Sequence, residues 1–257
     1  WQGYIAANGE TFPACGDIDG DSRDEIVVGY GRGGDGWLYL LDDAGTAHTP
    51  VKTPDGNGWL HRPFATYNAQ NGAVYPAVGN LDGDGLAEIA AGGGSGNGGR
   101  VYVFDDALNG FRALGTSGLA QSNWASYNTA NGTTWPAICA YDRQGRHSLV
   151  VGLGSGGAGY LQKLDPRNGF VPFAAGGSGN WLLIADAGYA SRQGEVRPVC
   201  AQGGYPDGLS LGLGFGAGGG GKFEFTDGSP AVTASNAAYS AANGQVWPAV
   251  DTAFVAP

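Results

Sequence analysis

The chain has no methionine and only three cysteines, Cys15, Cys139 and Cys200. An odd and sparse set of thiols is no disulfide framework. Charged residues make up 14% of the sequence, and the 13 Lys and Arg are outnumbered by 23 Asp and Glu, for a net charge of −10. That balance excludes nucleic acid and anionic membrane surfaces as partners and suits cations. No apolar run approaches the ~18 residues of a membrane-spanning helix. No basic stretch precedes an apolar one near the start, which reads as a mature or trimmed chain. The three histidines, His48, His61 and His147, share no common sequence context. No nucleophile–base set or open metal site emerges, so an enzyme is not expected.

Glycine is what the chain has in excess, 50 of 257 residues. Each interior glycine costs a helix about 0.5–1 kcal/mol relative to alanine, which excludes long helices. The 42% hydrophobic share is still enough for a core.

Self-similarity organises the rest. "NGETFPA", "NGAVYPA", "NGTTWPA" and "NGQVWPA" recur, with "QGEVRPV" as a weaker copy; their prolines are Pro13, Pro76, Pro136, Pro248 and Pro198. A second anchor is the aspartate closing an alternating apolar run: Asp42, Asp105, Asp165 and Asp227. The aspartates advance by 63, 60 and 62 residues, and the prolines by 63, 60, 62 and then 50. Within a unit, "YPAVGN" reads as a short strand and "EIVVG", "EIAAG", "SLVVG" or "SLGLG" as a strand buried on both faces. A glycine-rich turn follows, then "WLYLLD" or "RVYVFD" with period 2. The segments ending "FATYNAQ", "NWASYNT" and "NAAYSAA" read as a fourth strand.

The expected fold is all-β: one β-propeller domain over residues 1–257, with four-stranded antiparallel blades. Its four complete units span about 10–72, 73–132, 133–194 and 195–244, with partial units at 1–9 and 245–257. Residues 1–9 read as the outermost strand of a preceding blade, and 245–257 as the innermost strand of a following one. In a four-membered ring the first and last blades adjoin, which permits a Cys15–Cys200 bridge. Otherwise the cysteines read as small buried residues of inner strands.

Two loops carry acids at alternate positions. The first has Asp17, Asp19, Asp21 and Glu25, with the Arg23 carbonyl between; the second has Asn80, Asp82, Asp84 and Glu88, with the Leu86 carbonyl. Alternate residues of a tight loop converge on one centre, and an all-oxygen, carboxylate-rich shell suits Ca2+. The third loop keeps only Asp142 and adds Arg146, and the fourth has no carboxylate at these positions. Two calcium ions are therefore expected, the first bound more tightly because its loop holds four carboxylates against three. Ser22, where the second loop has Gly85, is the one feature that would strain it.

"DIDGDSRDEIVVG" and "NLDGDGLAEIAAG" resemble the FG-GAP or VCBS repeat of integrin-type propellers. That resemblance implies a calcium loop between the first two strands of a blade. The aromatic-rich junctions, acidic loops and glycine turns also resemble fungal propeller lectins of this type, which implies sugar sites between blades.

"GLGSGGAG" contains a G-x-G-x-x-G, but a strand follows it and no helix, so it reads as a hairpin turn. The unit junctions hold Tyr67, Asn68, Asn71 and Tyr75; Trp124, Tyr127, Asn128, Asn131 and Trp135; and Tyr239, Asn243 and Trp247. Aromatic faces and planar amides suit sugars, and they equally wedge strands together. Trp124, Tyr127, Asn128 and Trp135 are the leading ligand candidates, followed by Tyr67, Asn68 and Tyr75. The sequence thus predicts a secreted or cell-surface, non-enzymatic, calcium-binding propeller that recognises glycans, amino sugars among them. The alternative is an interaction or structural module of a larger surface protein, able to oligomerise through the terminal fragments.

Overall fold

The computed structural model describes residues 1–43, 47–140, 147–173, 180–184, 186–200, 211–225, 232–233 and 244–248. Four antiparallel sheets follow one another along the chain. The first contains β1 (Thr11–Gly16), β2 (Glu25–Tyr30), β3 (Trp37–Asp42), β4 (Thr49–Pro50) and β5 (Trp59–His61). Its order is β1-β2-β3-β4, with β5 pairing the other half of β3. The second has β6 (Tyr75–Gly79), β7 (Glu88–Gly92), β8 (Arg100–Phe104) and β9 (Leu119–Gln121) in sequential order. The third runs β10 (Thr134–Ala140), β11 (His147–Leu153), β12 (Tyr160–Asp165), β13 (Val171–Pro172), with β14 (Trp181–Leu183) on β12. The fourth is β15 (Val196–Cys200), β16 (Leu211–Phe215), β17 (Lys222–Phe225) and β18 (Val232–Thr233).

Registers repeat with the sequence. Pro13 faces Val28, Pro76 faces Ala91, Pro136 faces Val151 and Pro198 faces Leu213. Consecutive sheets pack through apolar faces. Val27, Leu38 and Leu40 meet Ile89 and Phe104; Val101 and Val103 meet Leu149 and Leu164; Val150 and Leu161 meet Leu211 and Phe215. Each such side chain, fully buried, contributes about 1.5–3 kcal/mol.

The glycine at or one residue before the end of each second strand is set by this packing. A Cβ on Gly29 would lie 2.2 Å from the Val74 carbonyl oxygen, on Gly92 2.4 Å from that of Thr134, and on Gly152 2.1 Å from that of Val196. On Gly214 it would meet the Val246 oxygen at 2.8 Å. Residues 246–248 therefore stand against the fourth sheet as β6 stands against the first. The residues preceding the repeat prolines gather where the inner strands meet. Tyr75 stacks on Trp135 at 3.7 Å, Phe12 lies 5.2 Å from Trp247, and the Arg197 guanidinium covers Trp247 at 3.6 Å.

The expected fourth strand is corrected. The outer strands are β5, β9 and β14, and the "ATYNAQ" and "ASYNTA" segments are helices α2 (Ala65–Gln70) and α3 (Ala125–Ala130). Residues 1–9 likewise give helix α1 (Gln2–Ala7) and no strand, and α4 (Ala187–Arg192) repeats the motif. Segment 236–242, "NAAYSAA", lies outside the described residues. These six-residue helices are too short to stand alone. A tyrosine clamps each one: Tyr67 Oη donates to the Ala73 oxygen (2.8 Å) and accepts from Gly94 N (2.7 Å). Tyr127 bonds Thr133 O and Gly154 N in the same way, both at 2.6 Å.

The cysteine expectation is also corrected. The disulfide joins Cys139 on β10 to Cys200 on β15, with Cα atoms 5.3 Å apart, and Cys15 is free and exposed. The pairing is between neighbouring inner strands and not between the ends of the array.

Candidate metal centres and aromatic junctions

Both acidic loops fold as turns built on their own side chains. Asp17 accepts from Gly20 N (2.7 Å) and Ser22 N (3.0 Å), and Asp21 accepts from Arg23 N (2.9 Å). In the second loop Asn80 accepts from Gly83 N (2.6 Å), Asp82 from Asp84 N (3.0 Å) and Asp84 from Leu86 N (2.8 Å). Ser22 takes φ 72° where Gly85 takes 109°, so the strain expected at Ser22 falls in the left-handed region.

Glu25 and Glu88 are fully buried at the start of β2 and β7. One oxygen of Glu25 accepts from Ile18 N at 2.8 Å, and one of Glu88 accepts from Leu81 N. The other oxygen, Oε1 in each, is buried with no hydrogen-bond partner. Burial, reinforced by the neighbouring aspartates and opposed by the accepted N–H, pushes Glu25 up to about 7 and Glu88 up to about 8. A buried carboxylate left half-satisfied is costly, and a cation beside it removes both the cost and the shift.

Carboxylate oxygens converge there. One from each of Asp17, Asp19 and Glu25 lie within 4.8 Å of one another, as do those of Asp21, Glu25 and Asp43. The second loop gives the triplets Asp82, Glu88, Asp105 and Asp84, Glu88, Asp106. Asp43, Asp105 and Asp106 come from beyond the loops, at the ends of the third strands. The signal for Asp105 was present, since it belongs to the recurring aspartate after "VYVF". With them, each loop has five carboxylates in its two triplets, where the loops alone offer four and three. Arg23 reaches Asp43 at 3.7 Å in the first centre. Asp142, Arg146 and the fourth loop lie outside the described residues.

The loops also join sheets. Ile18 and Leu81, which donate to the buried glutamates, are themselves fully buried in the packing against the next sheet. Ala87 N bonds the Asp17 oxygen (2.9 Å) and Ala107 N bonds the Ile18 oxygen (3.0 Å).

The predicted ligand residues are dispersed. Tyr67 and Tyr127 are the buried helix clamps just described. Asn68 and Asn128 fasten helices to the preceding segment, donating to Arg62 O (2.7 Å) and Ser122 O (2.6 Å). They press on Gly36 and Gly99, where an added Cβ would lie 2.3 and 1.9 Å away. Trp135 is buried against half-buried Tyr75 at the inner strands, away from Trp124. Asn71 and Asn131 bond the Ser95 and Ser155 carbonyls (2.9 and 2.8 Å). Tyr239 and Asn243 lie outside the described residues.

Trp124 instead joins Asn123, Tyr160 and Trp181 around a cavity of about 350 Å³. At the equivalent first junction, Trp1 lies nearly parallel to Tyr30 (5.2 Å, 13°) and Trp59 (5.4 Å, 20°), and is 45% exposed. Tyr160, Trp181, Trp1 and Trp59 lie off the repeat-proline motif, so motif reading passed over them.

Compared with known proteins, the chain matches no family model and no curated protein sequence.

Proposed function

We propose that the protein is a calcium-loaded β-propeller of the FG-GAP type that recognises carbohydrate and has no catalytic role. The observation that carries this reading is the pair of fully buried glutamates, each aiming an unpartnered oxygen into a cluster of aspartates. Hard oxygen ligands in this number suit Ca2+, which accepts 6–8 oxygens in flexible geometry. In the first centre Asp17, Asp19, Asp21, Glu25 and Asp43 would hold the ion; in the second, Asn80, Asp82, Asp84, Glu88, Asp105 and Asp106 would. The ion would supply structural charge neutralisation, fixing the loops whose Ile18 and Leu81 lock one blade to the next.

The carbohydrate half rests on the first junction. Trp1, 45% exposed, stacks with half-buried Tyr30 and Trp59, and a partly exposed aromatic stack is a surface that sugar C–H faces can pack on. The disulfide fits a secreted or surface setting, since such bonds persist in oxidising compartments. Among the described residues no helix is long and apolar enough to cross a membrane. Calcium titration by calorimetry should give two sites, and a glycan array on the loaded protein should give hits that Trp59→Ala removes. No heat of binding would overturn the metal reading, and an empty array the lectin reading.

One observation favours the interaction-module alternative. Ile26 and Val28 of the first sheet are half-buried and Cys15 is exposed, whereas the equivalent Ile89 and Ala91, and Leu149 and Val151, are buried by the preceding sheet. A blade-like partner would cover this face.

A further inference from the structure

At three of the junctions two equivalent residues meet: the one preceding the short helix and the first of the third strand. At the second junction these are Phe64 and Arg100, and the Arg100 guanidinium lies over the Phe64 ring at 4.2 Å. At the fourth they are Asp186 and Lys222, an ion pair. In both, the chain places its own cation in the slot. At the third junction they are Trp124 and Tyr160, both uncharged, and Trp181 adds a third wall.

The three rings stand nearly perpendicular to one another. Trp124 and Tyr160 are 5.9 Å apart at 86°, Trp124 and Trp181 6.2 Å at 85°, and Tyr160 and Trp181 5.8 Å at 74°. If the three faces meet as the corner of a cube around the cavity they line, its centre lies at the centroid separation divided by √2, about 4.1–4.4 Å from each ring, inside the ~6 Å reach of cation–π attraction. The fourth lining residue, Asn123, already uses its amide oxygen to accept from Gln162 Nε2 (2.6 Å) and its backbone N–H to donate to Gln162 Oε1 (3.1 Å). A trimethylammonium group needs no hydrogen-bond partner: it is cationic, apolar-surfaced and round.

We propose that the third junction is a binding site for a quaternary trimethylammonium group, held by Trp124, Tyr160 and Trp181. The site is separate from the aromatic stack of the first junction, so it stands or falls independently of carbohydrate binding there. The net charge of −10 favours a cationic ligand throughout.

The test is titration of the full chain with choline chloride, followed by tryptophan fluorescence, against its neutral carbon isostere 3,3-dimethylbutan-1-ol. Choline should give a saturable change with millimolar affinity, at least fivefold tighter than the isostere. Trp181→Leu and Tyr160→Leu should each weaken choline at least fivefold while leaving the circular dichroism spectrum and calcium stoichiometry unchanged. Should Trp181→Leu fail to fold, Tyr160→Leu and the isostere comparison decide. Phosphatidylcholine vesicles form a second arm: co-sedimentation that choline competes assigns the group to a lipid head, and choline binding without it assigns a free small molecule. No saturable response to choline, or equal affinity for the isostere, overturns the proposal. Glycan-array hits that choline does not compete, with no choline binding, would leave the lectin reading standing alone.

Discussion

Glu25 and Glu88 are the residues on which the metal reading turns, and they make it testable by pH. In metal-free protein their folded values, about 7 and about 8, exceed the ordinary carboxylate value near 4.5. The folded state then holds protons that the unfolded state releases. Their contribution to stability is greatest at or below about pH 4.5 and is lost as pH rises through 7 and 8. In EDTA the melting temperature should fall between pH 5 and 8; in excess calcium, which displaces the proton, that fall should vanish. A flat or rising profile in EDTA would contradict this. The aspartates beyond the loops give a second test. Asp105→Asn should weaken calcium at the second centre about tenfold, ~1.4 kcal/mol, whereas Asp165→Asn at the matching place in the third sheet should leave two sites with unchanged affinities. The loop ligands were legible because they lie within nine residues of one another. Asp43 and Asp106 were not, because two strands and the turn between them separate each from its loop, and only sheet pairing returns them to it.

The strands were largely legible because glycine turns and period-2 alternation bracket them, and the third sheet places Pro136 opposite Val151 as the repeat demands. The short helices were not. "ASYNTA" has no helical apolar stripe and no side-chain cap, so local propensity gives no signal. Its helix exists because Tyr127 ties it to two distant backbone groups. Tyr127→Phe would remove both bonds, leaving Thr133 O and Gly154 N only their own 3.3 Å hydrogen bond, and should cost about 1–3 kcal/mol, read by denaturant unfolding. Gly152→Ala should cost at least as much, since its methyl would sit 2.1 Å from the Val196 oxygen of the next sheet. An unchanged midpoint in that variant would show that the inter-sheet approach is looser than described.

Across the whole molecule, stability should be uneven. The acidic loops lock the first sheet to the second and the second to the third, while the Cys139–Cys200 bond locks the third to the fourth. Chelation should therefore raise hydrogen exchange in β1, β2, β6 and β7 more than in β15 and β16, and reduction should do the reverse. Closing a loop of 61 residues contributes about 4 kcal/mol in the chain-entropy model, so reduction should lower the melting temperature by on the order of 10 °C. Uniform protection changes under both treatments would refute this division.

By itself the sequence determined the repeat length, the strand and turn alternation and the two acidic loops, because each is set by residues near one another in the chain: glycine where the backbone must turn, alternating apolar residues where one face is buried, acids at every second position of a turn. Tertiary structure alone decided which cysteines pair, which aspartates join the loops and which aromatic rings meet. Those choices depend on how one sheet rests against the next. The same packing that buries Tyr127 and Trp135 as supports turns Trp124 toward Tyr160 and Trp181.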